Sequence, residues 1–218
     1  MKIFTTLLLM VMATSFNAFS ANIFTDFPDE IKKDEKYVFY SHGYIVEGEN
    51  PKPVHPRWGV YDFPQIKATL ADENYNLVAY HRSKNIKTKI FVKKMVTDIQ
   101  HLLDQGVKAE NIYLVGFSQG GAISILVSNA LANNKMNLII LAGCSNFIKN
   151  SPSIKVYGRI LSIYETSDRI GSCQFLIDRS KGVTDFSEIS ISTGKEHGAF
   201  YRPIDEWVIP VKQWINKR

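Results

Sequence analysis

Only two cysteines, Cys144 and Cys173, occur in the 218 residues, and no cysteine–histidine cluster has the spacing of a zinc site. A phosphate-cradling glycine loop is also missing, as are internal repeats and low-complexity tracts. Lysines and arginines are scattered, as in Lys32-Lys33 and Lys93-Lys94, with no long basic run and no interleaved aromatics. These absences argue against a zinc module, a nucleotide-phosphate loop, a solenoid and a nucleic-acid reader. They leave a basic but solvated surface, with no metal or organic cofactor implied.

The apolar run from Ile3 to Ala13 is too short to span a bilayer comfortably. Preceded by Met1-Lys2 and followed by Ala18-Phe19-Ser20, it has the pattern of a secretory signal peptide, residues 1–20, cut after Ser20. An uncleaved amino-terminal anchor is the alternative. No cysteine lies near the cleavage region, which excludes a lipoprotein anchor. The expected mature chain, residues 21–218, is periplasmic or secreted, without stable membrane insertion. A hydrophobic content of 45% lets it bury one good core, so a single domain is expected. Net charge falls from +5 to +4 on loss of Lys2, because 25 basic residues then face 21 acidic ones.

One stretch organises the chain: Asn111-Ile112-Tyr113-Leu114-Val115-Gly116-Phe117-Ser118-Gln119-Gly120-Gly121. It reads as an apolar strand buried on both faces, a serine flanked by glycines and the start of a helix. That pattern is a nucleophile elbow, whose sharp turn admits only small residues two before and two after the serine. Gly116 and Gly120 meet the requirement, and Ser118 is the candidate nucleophile. Downstream, Ala122, Ile123, Leu126, Val127, Ala130 and Leu131 recur at helical spacing. An ordinary strand-to-helix turn is the bland alternative.

Residues 21–36 are polar and charged and are expected to wrap the surface before a first core strand, Lys36 to Ser41. That strand runs into His42-Gly43-Tyr44, a turn whose amides can point above the sheet. The backbone N–H groups of Tyr44 and Gln119 are therefore assigned to an oxyanion hole, with His42 beneath it read as structural, against a catalytic role, and counted among the candidate substrate contacts. The proline-rich loop from Ile45 to Tyr61 carries Trp58 and Tyr61 as candidate substrate wall, together with His55 and Arg57. A rigid surface loop is the alternative. Asp62 is placed to cap a helix with Pro64 in its first turn. A strand from Tyr75 to Tyr80 then delivers His81 and Arg82, which either touch substrate or tie loops together. A helix over 86–105 stops at Gly106. Further strands are expected over 136–142, 160–166 and 186–192, with a closing helix over 203–216. Alternating strands and helices predict α/β architecture: a doubly wound, mostly parallel sheet.

A serine hydroxyl is a weak nucleophile at neutral pH and needs a base, which in turn needs an orienting carboxylate. His197, between Gly194 and Gly198, follows the last strand; Asp168 follows the strand before it. Glu165 is the alternative acid. Cys144 and Cys173 fall at the same end of neighbouring expected strands, so a disulfide between them would pin the acid's loop; two buried free thiols are the alternative. Loop-closure entropy assigns such a bridge about 3 kcal/mol.

The chain order Ser118, Asp168, His197, each residue at a strand's carboxyl end, is that of α/β-hydrolases. From about Lys36 onward the sequence resembles a compact member of that superfamily, of the esterase, thioesterase and dienelactone-hydrolase-like breadth. Its Tyr-Glu-Thr-Ser-Asp and Gly-Lys-Glu-His-Gly-Ala-Phe segments resemble those of poorly characterised exported bacterial hydrolases. The resemblance implies an α/β-hydrolase fold and cleavage of a carboxylic ester or thioester through an acyl-enzyme. The same residues would serve an amidase, a peptidase or an acyltransferase, and a secreted binding module with a dormant triad is the non-enzymatic alternative. Fifty residues separate Ser118 from Asp168, too few for a large cap domain. An open site and a small-molecule or exposed polymeric substrate are expected. Arg57, Arg82, Arg169, Lys195 and Arg202 fall in loops at the site's end and raise an anionic substrate, with ordinary solvation as the alternative.

Overall fold

A computed structural model of the protein describes residues 21–217, so the expected signal peptide lies outside the described residues. In chain order the strands are β1 (Ile23–Phe24), β2 (Tyr37–Ser41), β3 (Val54–His55), β4 (Gly59–Val60), β5 (Asn76–Val78), β6 (Ile112–Phe117), β7 (Asn137–Leu141), β8 (Tyr157–Glu165) and β9 (Gly182–Ile191). The α-helices are α1 (Phe63–Leu70), α2 (Thr88–Asp104), α3 (Gln119–Leu131), α4 (Asn146–Lys149), α5 (Gln174–Asp178) and α6 (Asp205–Asn216).

Seven strands form one sheet in the order β1-β5-β2-β6-β7-β8-β9, and every neighbouring pair is parallel. Every residue of β2, β5, β6 and β7 is buried, as continuous apolar runs covered by helices on both faces require. Successive side chains go to opposite faces. Val38 and Tyr40 of β2 join Tyr113, Val115 and Phe117 of β6 against α1 and α6, where Trp207 and Phe63 are fully buried. Tyr37, Phe39, Ile112 and Leu114 meet α2 and α3 through Met95, Ile99 and Ile123 on the other face. Replacing Trp207 with Ala would open a cavity at the centre of the first layer and cost about 3–5 kcal/mol.

Two short features depart from the expected organisation. Within the supposedly wrapping segment, β1 pairs with β5 and makes one sheet edge; two residues are too short to show a period. The long loop before α1 closes into an antiparallel hairpin of β3 and β4, which carries Tyr61 into the core. The expected helix cap is present: Asp62 Oδ1 accepts from the Gln65 N–H at 3.0 Å, with Pro64 in the first turn. β9 starts four residues before the expected Phe186 and follows β8 past a bulge at Gly158/Arg159.

Chain order reverses across the sheet between β2 and β6: β5 lies beyond β2 on one side, and β6 to β9 run out on the other. Ligands bind at such a switch point, outside the carboxyl ends of the strands. The turn after β2 and Ser118 after β6 both open there. No large cap covers it among the described residues; the link from β7 to β8 holds only the four-residue α4.

Candidate active site

Ser118 sits at φ 54° and ψ −118°, a left-handed conformation strained for any side chain. Its N–H donates to Leu141 O at 2.9 Å, and its carbonyl accepts from Ala122 N at 3.0 Å, so strand β7 and helix α3 hold the strain in place. The flanking glycines are obligatory by contact. A Cβ on Gly116 would lie 2.2 Å from Gly120 O, and one on Gly120 would lie 1.9 Å from Ser41 O.

Two other strand ends bring partners to this hydroxyl. His197 occupies a 3₁₀ turn, Glu196–Phe200, after β9, and Asp168 lies in the loop after β8. Since a carboxylate only accepts, the His197 Nδ1–H donates to Asp168 Oδ2 at 2.5 Å. That leaves Nε2 as acceptor for the Ser118 hydroxyl, 2.8 Å away. Asp168 Oδ1 accepts from the Ile170 N–H at 3.1 Å, which orients the carboxylate. Phe117 and Trp58 flank the imidazole at ring-centroid distances of 4.8 and 5.3 Å.

Glu165, the alternative acid, faces elsewhere. Its carboxylate is buried at the end of β8; Oε2 accepts from Ser167 N (2.6 Å) and Oγ (2.5 Å), and Oε1 from Thr193 N (2.9 Å), Thr193 Oγ1 (3.4 Å) and Gly194 N (3.0 Å). One side chain thereby joins the acid's loop to the histidine's loop. Burial alone would raise its pKa, but the donors from Ser167, Thr193 and Gly194 together hold it below the usual glutamate range. Glu196, at φ 52°, closes the histidine turn from outside: it accepts from Trp58 Nε1 at 3.0 Å and is paired with Arg57.

The turn after β2 rests on a second buried charge. Arg82 donates through one terminal nitrogen to His42 O at 2.7 Å, and through Nε to Glu47 Oε1 at 3.2 Å. The same terminal nitrogen lies 3.5 Å from Gly43 O and 3.4 Å from Gln119 Oε1, so the guanidinium spans both sides of the crevice. The Arg82 N–H donates to His42 Nε2 at 3.0 Å, which puts the ring proton on Nδ1, facing Gly43 O at 2.8 Å. Burial, then the Arg82 charge, push the His42 pKa well down, and the ring is neutral. Neither the Tyr44 nor the Gln119 N–H has an acceptor among the described residues.

Of the expected substrate contacts, four are corrected. His42, Tyr61 and Arg82 are buried, Tyr61 bonded to the Tyr40 hydroxyl at 2.8 Å and Arg82 engaged through Nε and Nη2 while Nη1 has no hydrogen-bond partner among the described residues, and none lines a cleft at Ser118. His81 is half-buried and contacts Val46 O at 2.7 Å, which ties the loop after β5 to the turn after β2; it too lines neither cleft. Trp58 does reach the site, stacked on His55 with centroids 4.2 Å apart, and lines a cleft with Ser118, Asp168 and His197. A Cβ on Gly198 would lie 2.7 Å from Trp58 Cβ, so this glycine admits the indole.

Two clefts meet at Ser118. One, of about 740 Å³, runs between α2, α3 and α4 and is lined by Val92, Ala122, Leu126, Ala142 and Phe147. The other, of about 430 Å³, holds His197, Asp168, Trp58, Arg57 and Arg169. A Cys144–Cys173 disulfide with Cα atoms 5.4 Å apart joins the strand end before α4 to the chain beyond Asp168, bracing both clefts. Nothing in the sequence marks the apolar cleft, because Val92 and Leu126 fit the helical core stripe equally well. Glu165 as a loop tie was hidden because its partners are mostly backbone amides, which carry no sequence signal. Among the described residues no helix is long and apolar enough to cross a membrane, and no group of three His, Cys, Asp or Glu could hold a metal.

A family model described as phospholipase/carboxylesterase matches residues 74–188, a span with Ser118 and Asp168 inside it and His197 beyond it. Solved structures of similar fold include SOBER1 from Arabidopsis thaliana, 16% identical, with TM-score 0.57 over 84% of this chain and 99% of that one. Est1E from Butyrivibrio proteoclasticus, solved with ferulic acid bound, is 13% identical, with TM-score 0.52 over 88% and 91% of the two chains. An esterase from Rhizomucor miehei is 12% identical, with TM-score 0.59 over 87% and 77%. Likeness at these identities carries the fold. No curated protein matches the sequence.

Proposed function

Since the chain belongs to the phospholipase/carboxylesterase family of α/β-hydrolases, we propose that this ester hydrolase acts through Ser118, His197 and Asp168 by way of an acyl-enzyme. The continuous hydrogen-bonded path from Asp168 through His197 to a strained serine at an elbow carries the proposal. Ser118 Oγ attacks the ester carbonyl carbon while His197 Nε2 takes its proton. Asp168 holds the Nδ1 proton and offsets the imidazolium charge. The Tyr44 and Gln119 amides stabilise the oxyanion, a role supported by their having no acceptor among the described residues. As the tetrahedral intermediate collapses, His197 returns the proton to the alcohol oxygen. Water then attacks the acyl-enzyme with His197 as base.

The protein is proposed to be exported as a single mature domain. The apolar segment ahead of Ala18-Phe19-Ser20 supports this, as does a disulfide of the kind that persists in oxidising compartments. Expression with the native amino terminus should yield mature protein beginning at Ala21; retention of residues 1–20 in a membrane fraction would overturn it.

For the chemistry, Ser118→Ala and His197→Ala should each lower kcat by about 10⁴-fold or more on a short aryl ester. Rapid mixing of the wild type with that ester should release a stoichiometric burst of alcohol if deacylation limits turnover. Full activity in either variant would refute the assignment.

A further inference from the structure

The two clefts at Ser118 differ in chemistry, and the catalytic cycle assigns each a different half of the substrate. The leaving alcohol must lie on the His197 side, because Nε2 has to deliver a proton to its oxygen as the carbonyl carbon–oxygen bond breaks. The acyl group then extends away from the imidazole, toward Gln119 and Ala142. We propose that the substrate is an ester of an apolar acid larger than acetyl with an alcohol that carries an anionic group. This rests on the ester-hydrolase mechanism above and names the substrate class for that same site.

The acyl side has both room and apolar walls. Its cleft of about 740 Å³ lies within the range of sites for sizeable small molecules, and Val92, Leu126 and Phe147 give it predominantly apolar walls, with Thr88, Lys89 and Ser145 as polar members of the lining. Phe147 is 58% exposed, so the far end stays open to an extended chain. The alcohol side has unspent positive charge. Its two carboxylates are already committed: Asp168 to His197 and the Ile170 amide, Glu196 to Arg57 and Trp58 Nε1. Arg169 is exposed and has no partner among the described residues, and Arg57 uses only part of its donor fork on Glu196. Next to this cleft, and sharing Arg57, Trp58 and Glu196 with it, a cavity of about 370 Å³ adds Lys195 and Arg202. A guanidinium pair suits a carboxylate or a phosphate equally well.

The test is steady-state kcat/KM of the wild-type protein on para-acyloxybenzoates and para-acyloxybenzamides, each as the acetyl and the octanoyl ester, with para-acyloxyphenyl phosphates as a third pair. Burial is worth about fourfold per methylene, so octanoyl esters should exceed acetyl esters by at least about tenfold. Anionic alcohols should exceed the neutral benzamide by about fivefold or more, mainly through KM, and the advantage should shrink as salt is raised. Phosphate above carboxylate would identify a phosphorylated alcohol, the reverse a carboxylated one, and either supports the proposal. Arg169→Gln together with Arg57→Gln should bring the anionic-to-neutral ratio close to one; Val92→Trp, or separately Leu126→Trp, should depress the octanoyl-to-acetyl ratio. The wild-type ratios decide even if a variant fails to fold. Ratios near one, or faster cleavage of octyl hemisuccinate than of the octanoyl benzoate, would overturn this assignment while leaving the ester-hydrolase mechanism standing. Cleavage of none of these esters would remove that mechanism and this inference with it.

Discussion

Two buried charges lie beneath opposite halves of the site and are neutralised in different ways. Glu165, under the acid and histidine loops, is satisfied by amide and hydroxyl donors from both loops. Arg82, under the turn after β2, is held through Nε and Nη2 by carbonyl oxygens, Gln119 and the buried Glu47 carboxylate, while its Nη1 has no hydrogen-bond partner among the described residues. An anion held by backbone N–H groups fixes the path of two loops at once. A cation held by an ion pair fixes a turn and the residue after the nucleophile, but depends on a second charge staying in place. The proton-transfer half and the oxyanion half of the site therefore have independent supports.

Removing either support outright should have the largest effect. Glu165→Ala strands five donors, and Arg82→Ala strands the Glu47 carboxylate, so each should cost about 3–5 kcal/mol in denaturant unfolding. The comparison would fail if one were silent. The disulfide joins the strand end before α4 to the chain beyond the acid's loop, and replacing Cys144 and Cys173 with Ala should cost about 3 kcal/mol. A milder change separates the two halves functionally. In Glu165→Gln the amide nitrogen must face one of the two donor sets, which should cost about 2 kcal/mol and alter the pH profile of kcat/KM through the histidine loop. Arg82→Gln should lower kcat with that profile unchanged, since it acts on the oxyanion side.

Acid unfolding should sharpen the contrast further. The His42 pKa is depressed in the folded protein, so below about pH 6.5 the unfolded chain binds a proton that the native ring refuses. Stability should then fall by up to about 1.4 kcal/mol per pH unit until the depressed folded value is reached. Glu165 is depressed too, but its stabilisation is complete above the ordinary glutamate range and is lost only as pH drops below it. A stability curve flat from pH 7 to pH 5 would contradict the neutral, buried His42. The smallest effect is expected for Trp58→Phe, which removes the indole N–H bond to Glu196 at the rim and should cost about 1 kcal/mol.

Much of this was legible from residue pattern. Uninterrupted apolar runs such as Leu138 to Leu141 locate buried parallel strands, and the glycines around Ser118 locate the elbow, because a Cβ at Gly116 or Gly120 cannot be accommodated. Asp168 and His197 stood out as polar residues at strand exits in a fixed order. The underlying supports were less legible. His42, Tyr61 and Arg82 are polar residues beside the site in sequence, yet His42 and Arg82 turn polar atoms to backbone carbonyls, which leave no trace in side-chain identity, and Tyr61 bonds the hydroxyl of Tyr40, which lies on a different element. The apolar cleft is assembled from three helices, so its residues read as core until the helices are placed.

The most direct measurement is the intact mass of the folded protein after treatment with a fluorophosphonate, beside Ser118→Ala and His197→Ala. The mechanism predicts one stoichiometric adduct on the wild type and none on either variant. A folded wild-type protein that stays unlabelled, or an adduct that persists in Ser118→Ala, would contradict the assignment of Ser118 as the activated nucleophile.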